Sequence, residues 1–258
     1  MSETKIPWAT HTVNWLAGCS KASEGCLNCY AENMTARLAT MPNKPARYSD
    51  GVIEDRKWTG HISFDHEALK SAFEGMRNAK KPRRVFCGSM SDLFHENAPR
   101  ESLLALASEI IEVQMAEAKG AHWPHILMLL TKRPLGMLSW QQTFFPEGLP
   151  SWVWVGATVE NQKRADERMP LVLGVKAGLH FASCEPMLGP VDVPNGTEWV
   201  IIGGESGPRA RPLEEKWVDD LVGACQEYDV PVMVKQWSSH GGHDKYDIPS
   251  HLAVDQKP

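Results

Sequence analysis

An α/β chain built on a mostly parallel sheet is the fold class this sequence predicts, and three observations predict it. Short apolar runs rich in Val and Ile recur along the chain; each stops at polar residues; and helical stretches separate several of them. Runs of this length suit strands buried on both faces, the condition of a parallel sheet under helices.

Taken in order, the apolar stretch 13–16 reads as the first strand and leads into a loop of glycines and cysteines. Residues 84–88 come next, ahead of Ser89, Ser91 and Asp92. The run 125–130 precedes Thr131, Lys132 and Arg133, and 153–157 precedes Thr158, Glu160 and Asn161. The runs 179–182, 199–202 and 231–234 end in Ser183 and Glu185, in Gly203 to Glu205, and in Lys235 and Trp237 respectively. Between them, 100–119 carries apolar residues at Leu103, Leu106, Ile110 and Val113, the spacing of a helix face, and 164–172 and 214–228 read as further helices. The alternation implies right-handed crossovers and either a doubly wound sheet or a barrel. In a barrel the C-terminal strand ends converge on one face, so that face is the expected active site. Any one polar ending, taken alone, is equally well a turn.

At 258 residues, without an internal repeat or a long linker, the chain is expected to form one domain over 1–258. A hydrophobic content of 42% with 23% charged residues is that of a globular protein, and no apolar run reaches the length of a membrane helix. The N-terminal residues lack an apolar leader, so a reducing cytoplasm is expected and the cysteines are metal ligands or core residues. A formal net charge of −5 argues against coating nucleic acid by bulk electrostatics. Local basic groups occur at Lys80, Lys81, Arg83 and Arg84, at Lys132 and Arg133, and at Arg209 and Arg211, each also readable as solvated surface charge.

Cys19, Cys26 and Cys29 place three of the six cysteines within eleven residues. Two thiolates at the spacing of Cys26 and Cys29 reach one metal centre, and Gly18 and Gly25 let the backbone fold closely around it. A structural zinc wants four protein ligands, for which His11 is the available fourth. An iron–sulfur cluster held by three thiolates leaves one iron open for a substrate. Cys87, Cys184 and Cys225 fall in expected strands or helices and read as packing residues, with hydrogen-atom donation by Cys184 as an alternative.

The stretch 14–32 resembles the three-cysteine motif of a phage-encoded family that is itself similar to radical S-adenosylmethionine (SAM) enzymes. The likeness runs on through 89–95, 130–134, 155–162, 183–186, 203–207 and 234–237. It departs from the commonest radical SAM pattern in its C-x6-C-x2-C spacing and in Tyr30, which follows the last cysteine. The resemblance implies a partial (β/α) TIM-like barrel of about six to seven mostly parallel strands, with the cluster loop near residues 18–30. It implies a 4Fe–4S cluster on Cys19, Cys26 and Cys29, and SAM cleaved to a 5′-deoxyadenosyl radical in the cytoplasm of a phage-infected host.

Within that frame Ser89, Ser91, Asp92 and Glu205 are candidates for the methionyl amino group, and Glu160, Asn161 and Glu185 for the ribose hydroxyls. Lys132, Arg133 and Lys235 suit the cofactor carboxylate or a substrate phosphate, and Trp237 suits stacking on a base. The bland alternatives are a glycine turn at Gly203 and Gly204, surface pairing of the cations, and core packing of Trp237. The resemblance further implies an enzyme acting on a modified thymine of phage DNA, by moving a glycyl group from nitrogen to carbon linkage. Its electron donor would be a flavodoxin or ferredoxin. The competing readings are DNA-lesion repair, RNA or peptide modification, and a non-catalytic, zinc-stabilised nucleic-acid-binding protein.

Overall fold

The computed structural model describes residues 1–49, 51–242 and 244–258. Its main sheet has eight strands: β1 (Ser2–Glu3), β2 (His11–Val13), β3 (Arg84–Cys87), β4 (Ile126–Thr131), β5 (Val153–Thr158), β6 (Leu179–Cys184), β7 (Trp199–Gly203) and β8 (Val232–Gln236). They lie side by side in chain order. From β2 onward every pairing is parallel, and β1 alone is antiparallel, on the outer edge of β2. A doubly wound sheet must reverse its strand order somewhere, and this one does not. The sheet is a curled half-barrel of seven parallel strands, the one of the two pattern-derived alternatives that the family resemblance implied.

The helices are α1 (Tyr30–Leu38), α2 (His66–Arg77), α3 (Arg100–Glu117), α4 (Pro134–Phe144), α5 (Gln162–Leu173) and α6 (Glu215–Glu227). Apolar residues of α2 to α6, among them Phe73, Ile110, Met137, Met169 and Leu221, pack with Val85, Leu129, Val155, Ala182, Ile202 and Val234 into one core on the convex face. The alternate residues of the same strands, Phe86, Met128, Trp154, Phe181, Trp199, Ile201 and Met233, form a second cluster with Trp8 and no helix residue. The two-residue pleat divides the sheet into a helix-covered side and a concave side. Each fully buried large side chain contributes about 1.5–3 kcal/mol by leaving water. The concave side is tight: a Cβ at Gly156 would lie 2.5 Å from the Phe181 carbonyl oxygen.

The first strand lies earlier than expected. His11–Val13 joins the main sheet, whereas Leu16–Ala17 turns off to pair antiparallel with Ser63–Phe64. Asn14 marks the break, because its side chain bonds Ser89 and the Met90 amide instead of continuing a ladder. Helices α1, α2 and α4 go beyond the sequence reading. α2 carries a start signal in Asp65, whose carboxylate accepts from the Ala68 amide at 2.9 Å, and α4 carries another in Pro134 at its first position. Among the described residues, no helix is long and apolar enough to cross a membrane.

Candidate functional site

The inward parity that supplies the aromatic floor leads, at the C-terminal strand ends, to ionised side chains. Lys132 and Glu185 stand one residue past β4 and β6, Glu160 and Glu205 two residues past β5 and β7, and Lys235 lies within β8. The mouth of the half-barrel is therefore polar where its floor is apolar.

Over this mouth lies the cysteine loop. Gly18 opens it with φ 104°, and its backbone bridges to Ser91. A Cβ there would sit 2.0 Å from the His61 carbonyl oxygen, so only glycine fits. Gly25 is packed as closely, since its Cβ would come within 2.4 Å of the Glu160 carboxylate.

Three clamps fix the loop to three strand ends. Beyond β4, Arg133 donates to the Ser20 carbonyl at 3.2 Å and to its hydroxyl at 2.8 Å, while Asp92 and Glu96 hold the guanidinium from behind. His95, 3% exposed, also meets the Ser20 hydroxyl, at 2.7 Å. Burial, and then the Arg133 charge, hold His95 below its usual value, so the ring is neutral. Its Nδ1 accepts from the Asn97 amide, which leaves Nε2–H to donate to Ser20. With two donors on its oxygen, Ser20 keeps its own O–H to give.

Beyond β5, the fully buried Glu160 accepts from Ser23 with one oxygen and from Arg168 at 2.8 Å with the other, and Lys132 lies 3.5 Å away. Glu24 accepts from Arg164 at 2.7 Å and from the Asn161 amide, and the Arg164 hydrogen bond, the largest cause, brings its pKa down to about 2. Beyond β7, Asn28 donates to Glu205 at 2.9 Å and to the Arg209 carbonyl at 2.8 Å. Glu205 also pairs with Arg211. Burial works to raise Glu205, but the Arg211 and Asn28 hydrogen bonds outweigh it and hold the carboxyl below the ordinary range. Tyr30 completes the attachment by donating to the Ser89 carbonyl at 2.7 Å.

Cys19, Cys26 and Cys29 are partly accessible, whereas Cys87, Cys184 and Cys225 are buried. As a free thiol Cys19 is shifted: burial, with Asp92 adding to it against Arg133, pushes it up to about 12. Bonding to a metal would deprotonate it outright. Among the described residues, no three His, Cys, Asp or Glu side chains converge as donors to one ion. Around a single zinc, thiolates at 2.3 Å would stand about 3.8 Å apart. A cubane binds each thiolate to a different iron and spreads them farther. Three soft thiolate donors carried on one loop are the donor chemistry of an iron–sulfur cluster.

His11 is not a fourth ligand. It begins β2, beside Val85 at the start of β3, and bonds Thr10 at the opposite end of the sheet from the loop. Cys184 also faces away, into the helix-side core with Cys87 and Cys225, which removes it as a hydrogen-atom donor to the concave side.

Both oxygens of Asp92 are taken by protein donors, namely Thr131, the Phe94 and Lys132 amides and Arg133. Ser89 exchanges hydrogen bonds with Asn14. The Ser91 hydroxyl is buried without a partner, beside the start of the cysteine loop. Glu185 pairs with Lys235, and Gly203 lies close against it. Asn161 caps α5, accepting from the Arg164 amide at 3.1 Å, while it holds Glu24. Trp237 packs against the helix-side core, as the bland alternative had it. Ser20, Ser23, Glu24, Asn28, His95, Arg164 and Arg168 take part in the site without having been singled out in the sequence, and Arg211 stood out there only as local basic charge. Four of them lie between the cysteines, and that position was the available signal.

A family model described as a protein of unknown function, DUF5131, matches residues 3–253. No curated protein matches the chain. Among solved structures, a mutant spore photoproduct lyase with bound AdoMet and dinucleoside spore photoproduct is 14% identical with a TM-score of 0.49, covering 88% of this chain and 53% of that one. Another mutant spore photoproduct lyase is 13% identical with a TM-score of 0.45, again over 88% and 53%. The chain spans about half the length of these structures.

Proposed function

The chain belongs to the DUF5131 family, whose description assigns no activity, and we propose from the site itself that it is a radical SAM enzyme with a 4Fe–4S cluster on Cys19, Cys26 and Cys29. The observation that carries this reading is a loop of three partly accessible thiols clamped over the mouth of a parallel half-barrel. When bound, the cluster and SAM supply a 5′-deoxyadenosyl radical able to take a hydrogen atom from an unactivated carbon.

The protein's own part is to hold, orient and exclude. Ser91, with its unpartnered hydroxyl, Ser89, Glu185 and Glu205 are the groups we assign to the amino and hydroxyl functions of SAM. Lys235 and Lys132 are assigned to its carboxylate or to a substrate phosphate. Asp92, Glu160 and Asn161 act one step back, because their oxygens hold Arg133, Ser23 with Arg168, and Arg164. Arg133 grips Ser20 and so positions Cys19. The floor of Met128, Trp154, Phe181 and Trp199 closes the far side of the concave face to water, which protects a radical from stray hydrogen donors.

The substrate we propose is a base of DNA, and more narrowly a glycyl-bearing thymine whose side chain is rearranged. A flavodoxin or ferredoxin would deliver the electron. Anaerobic reconstitution with iron and sulfide tests the chemistry: brown protein that retains about four irons per chain and releases 5′-deoxyadenosine from SAM is expected. Colourless protein with one tightly held zinc would overturn it. Mass spectrometry of nucleosides from DNA treated with the reduced enzyme tests the base, and a product other than a rearranged thymine removes the narrower assignment.

A further inference from the structure

Beside the exit of the cysteine loop lies a cleft of about 460 Å³, lined by Asn28, Tyr30, Met34, Arg37, Arg56 and Arg209 among others. Asn28 and Tyr30 flank Cys29 directly, so whatever occupies the cleft touches the proposed cluster loop. The three arginines come from three separate elements: Arg37 from α1, Arg56 from the hairpin turn between Ile53–Glu54 and Lys57–Trp58, and Arg209 from the segment after β7.

The charges here are unlike those of the mouth. Lys132, Arg133, Arg168, Lys235 and Arg211 all have carboxylate partners. Among the described residues, the side chains of Arg37, Arg56 and Arg209 have neither an ion pair nor a hydrogen bond, and all three are exposed. In a chain of net charge −5, three unpaired cations around one cleft form a local field that favours an anion.

The backbone adds an independent sign. Asp55 and Arg56 occupy the turn with φ 46° and 63°, left-handed conformations for which glycine or asparagine is the unstrained choice. The two-residue turn sets both residues at the tip of the hairpin, where the Arg56 side chain lines the cleft. The hairpin is fixed against α1, because the buried Glu32 accepts from the Trp58 amide at 3.1 Å and from Lys57 at 3.1 Å. Arg209 is fixed too, since its carbonyl accepts from Asn28. The backbones that carry Arg56 and Arg209 are therefore held beside Tyr30 and Met34, which are 56% and 43% exposed. Spaced cations around an exposed aromatic ring match a phosphodiester backbone with unstacked bases.

We infer that this cleft is the docking surface for the backbone of a single-stranded or locally unpaired nucleic acid, held by Arg37, Arg56 and Arg209 so that a neighbouring base enters the mouth past Tyr30. The inference rests on the proposed action on a nucleic-acid base, and it needs no cluster to be tested.

The test is fluorescence anisotropy of a labelled single-stranded oligonucleotide with the cluster-free 258-residue chain over a range of salt concentrations. Two variants are compared with wild type: R37E/R56E/R209E, and K80E/K81E/K119E, whose exposed lysines precede β3 and β4 at the opposite end of the sheet. At about 0.7 of log–log salt slope per phosphate contact on single strands, the cleft variant should lose about two from the slope and tenfold or more in affinity at low salt. The distal variant should stay within about twofold of wild type. Equal binding by wild type and the cleft variant, or an equal loss in the distal variant, overturns the inference. So does preference of wild type for free thymidine monophosphate or polyglutamate over the oligonucleotide. Iron content after reconstitution is read separately: its absence from wild type sinks the radical reading and leaves the binding result standing.

Discussion

On the concave face, Met128, Trp154, Phe181, Trp199 and Ile201 pack together with no ionised group among them, while a few residues farther along the same strands Lys132, Glu160, Glu185 and Glu205 crowd the mouth. The floor is held by contact, and its residues are interchangeable in chemistry though not in shape. The mouth is held by pairing: Glu160 with Arg168, Glu205 with Arg211, Asp92 with Arg133, Glu185 with Lys235. Buried ions cost several kcal/mol each to desolvate, so such a region is a poor source of stability. It exists here to grip the cysteine loop. The difference between the two regions is that between what folds the protein and what positions its chemistry.

The sharpest test of this division is Cys26→Ala. It should abolish iron retention and 5′-deoxyadenosine release while leaving the urea midpoint of the cluster-free protein unchanged, and equal iron in variant and wild type breaks the ligand assignment. Phe181→Ala should do the converse, lowering unfolding free energy by about 3–5 kcal/mol in urea. Between them stands Glu160→Gln, which leaves the buried Arg168 without its counter-charge. A loss of about 3–5 kcal/mol, faster proteolysis within 19–29 and weaker iron retention together are expected. If only stability falls, Glu160 belongs to the floor's class rather than the mouth's.

Acid should separate the regions as well. Glu205 is held below its ordinary value of 4.5, so its contribution is complete above that pH and is lost as the pH falls through the depressed value. Glu205→Gln should therefore be less stable near neutrality and should lose stability less steeply than wild type on acidification, as read by urea midpoints across that range. The smallest effect is expected of Cys225→Ala, which removes a buried sulfur from the helix-side core: about 1 kcal/mol of stability, with iron content unchanged.

The strands were legible because each of 84–88, 125–130, 153–157, 179–182, 199–202 and 231–234 is apolar on both faces and ends abruptly. The helices 100–119, 164–172 and 214–228 differ from α3, α5 and α6 by no more than two residues at either end, the usual fraying of such boundaries. The short α1 was not legible, because its exposed Tyr30 and Met34 break the apolar face. Nor was the departure of Leu16–Ala17 from the sheet, since nothing local distinguishes it from a continuing strand. In the site, Cys19, Cys26 and Cys29 stood out by density alone, but the partners of the loop did not: Ser23 and Glu160 are 137 residues apart, and Asn28 and Glu205 are 177 apart.

Apolar periodicity and residue spacing, both local properties, determined by themselves that this is a parallel α/β protein and that three thiols share one loop. Which carboxylates are spent on clamping, which cysteines turn away from the concave face, and which arginines are left unpaired were decided only when distant strand ends met. Charge pairing is a matter of separation in space, and chain order does not encode it.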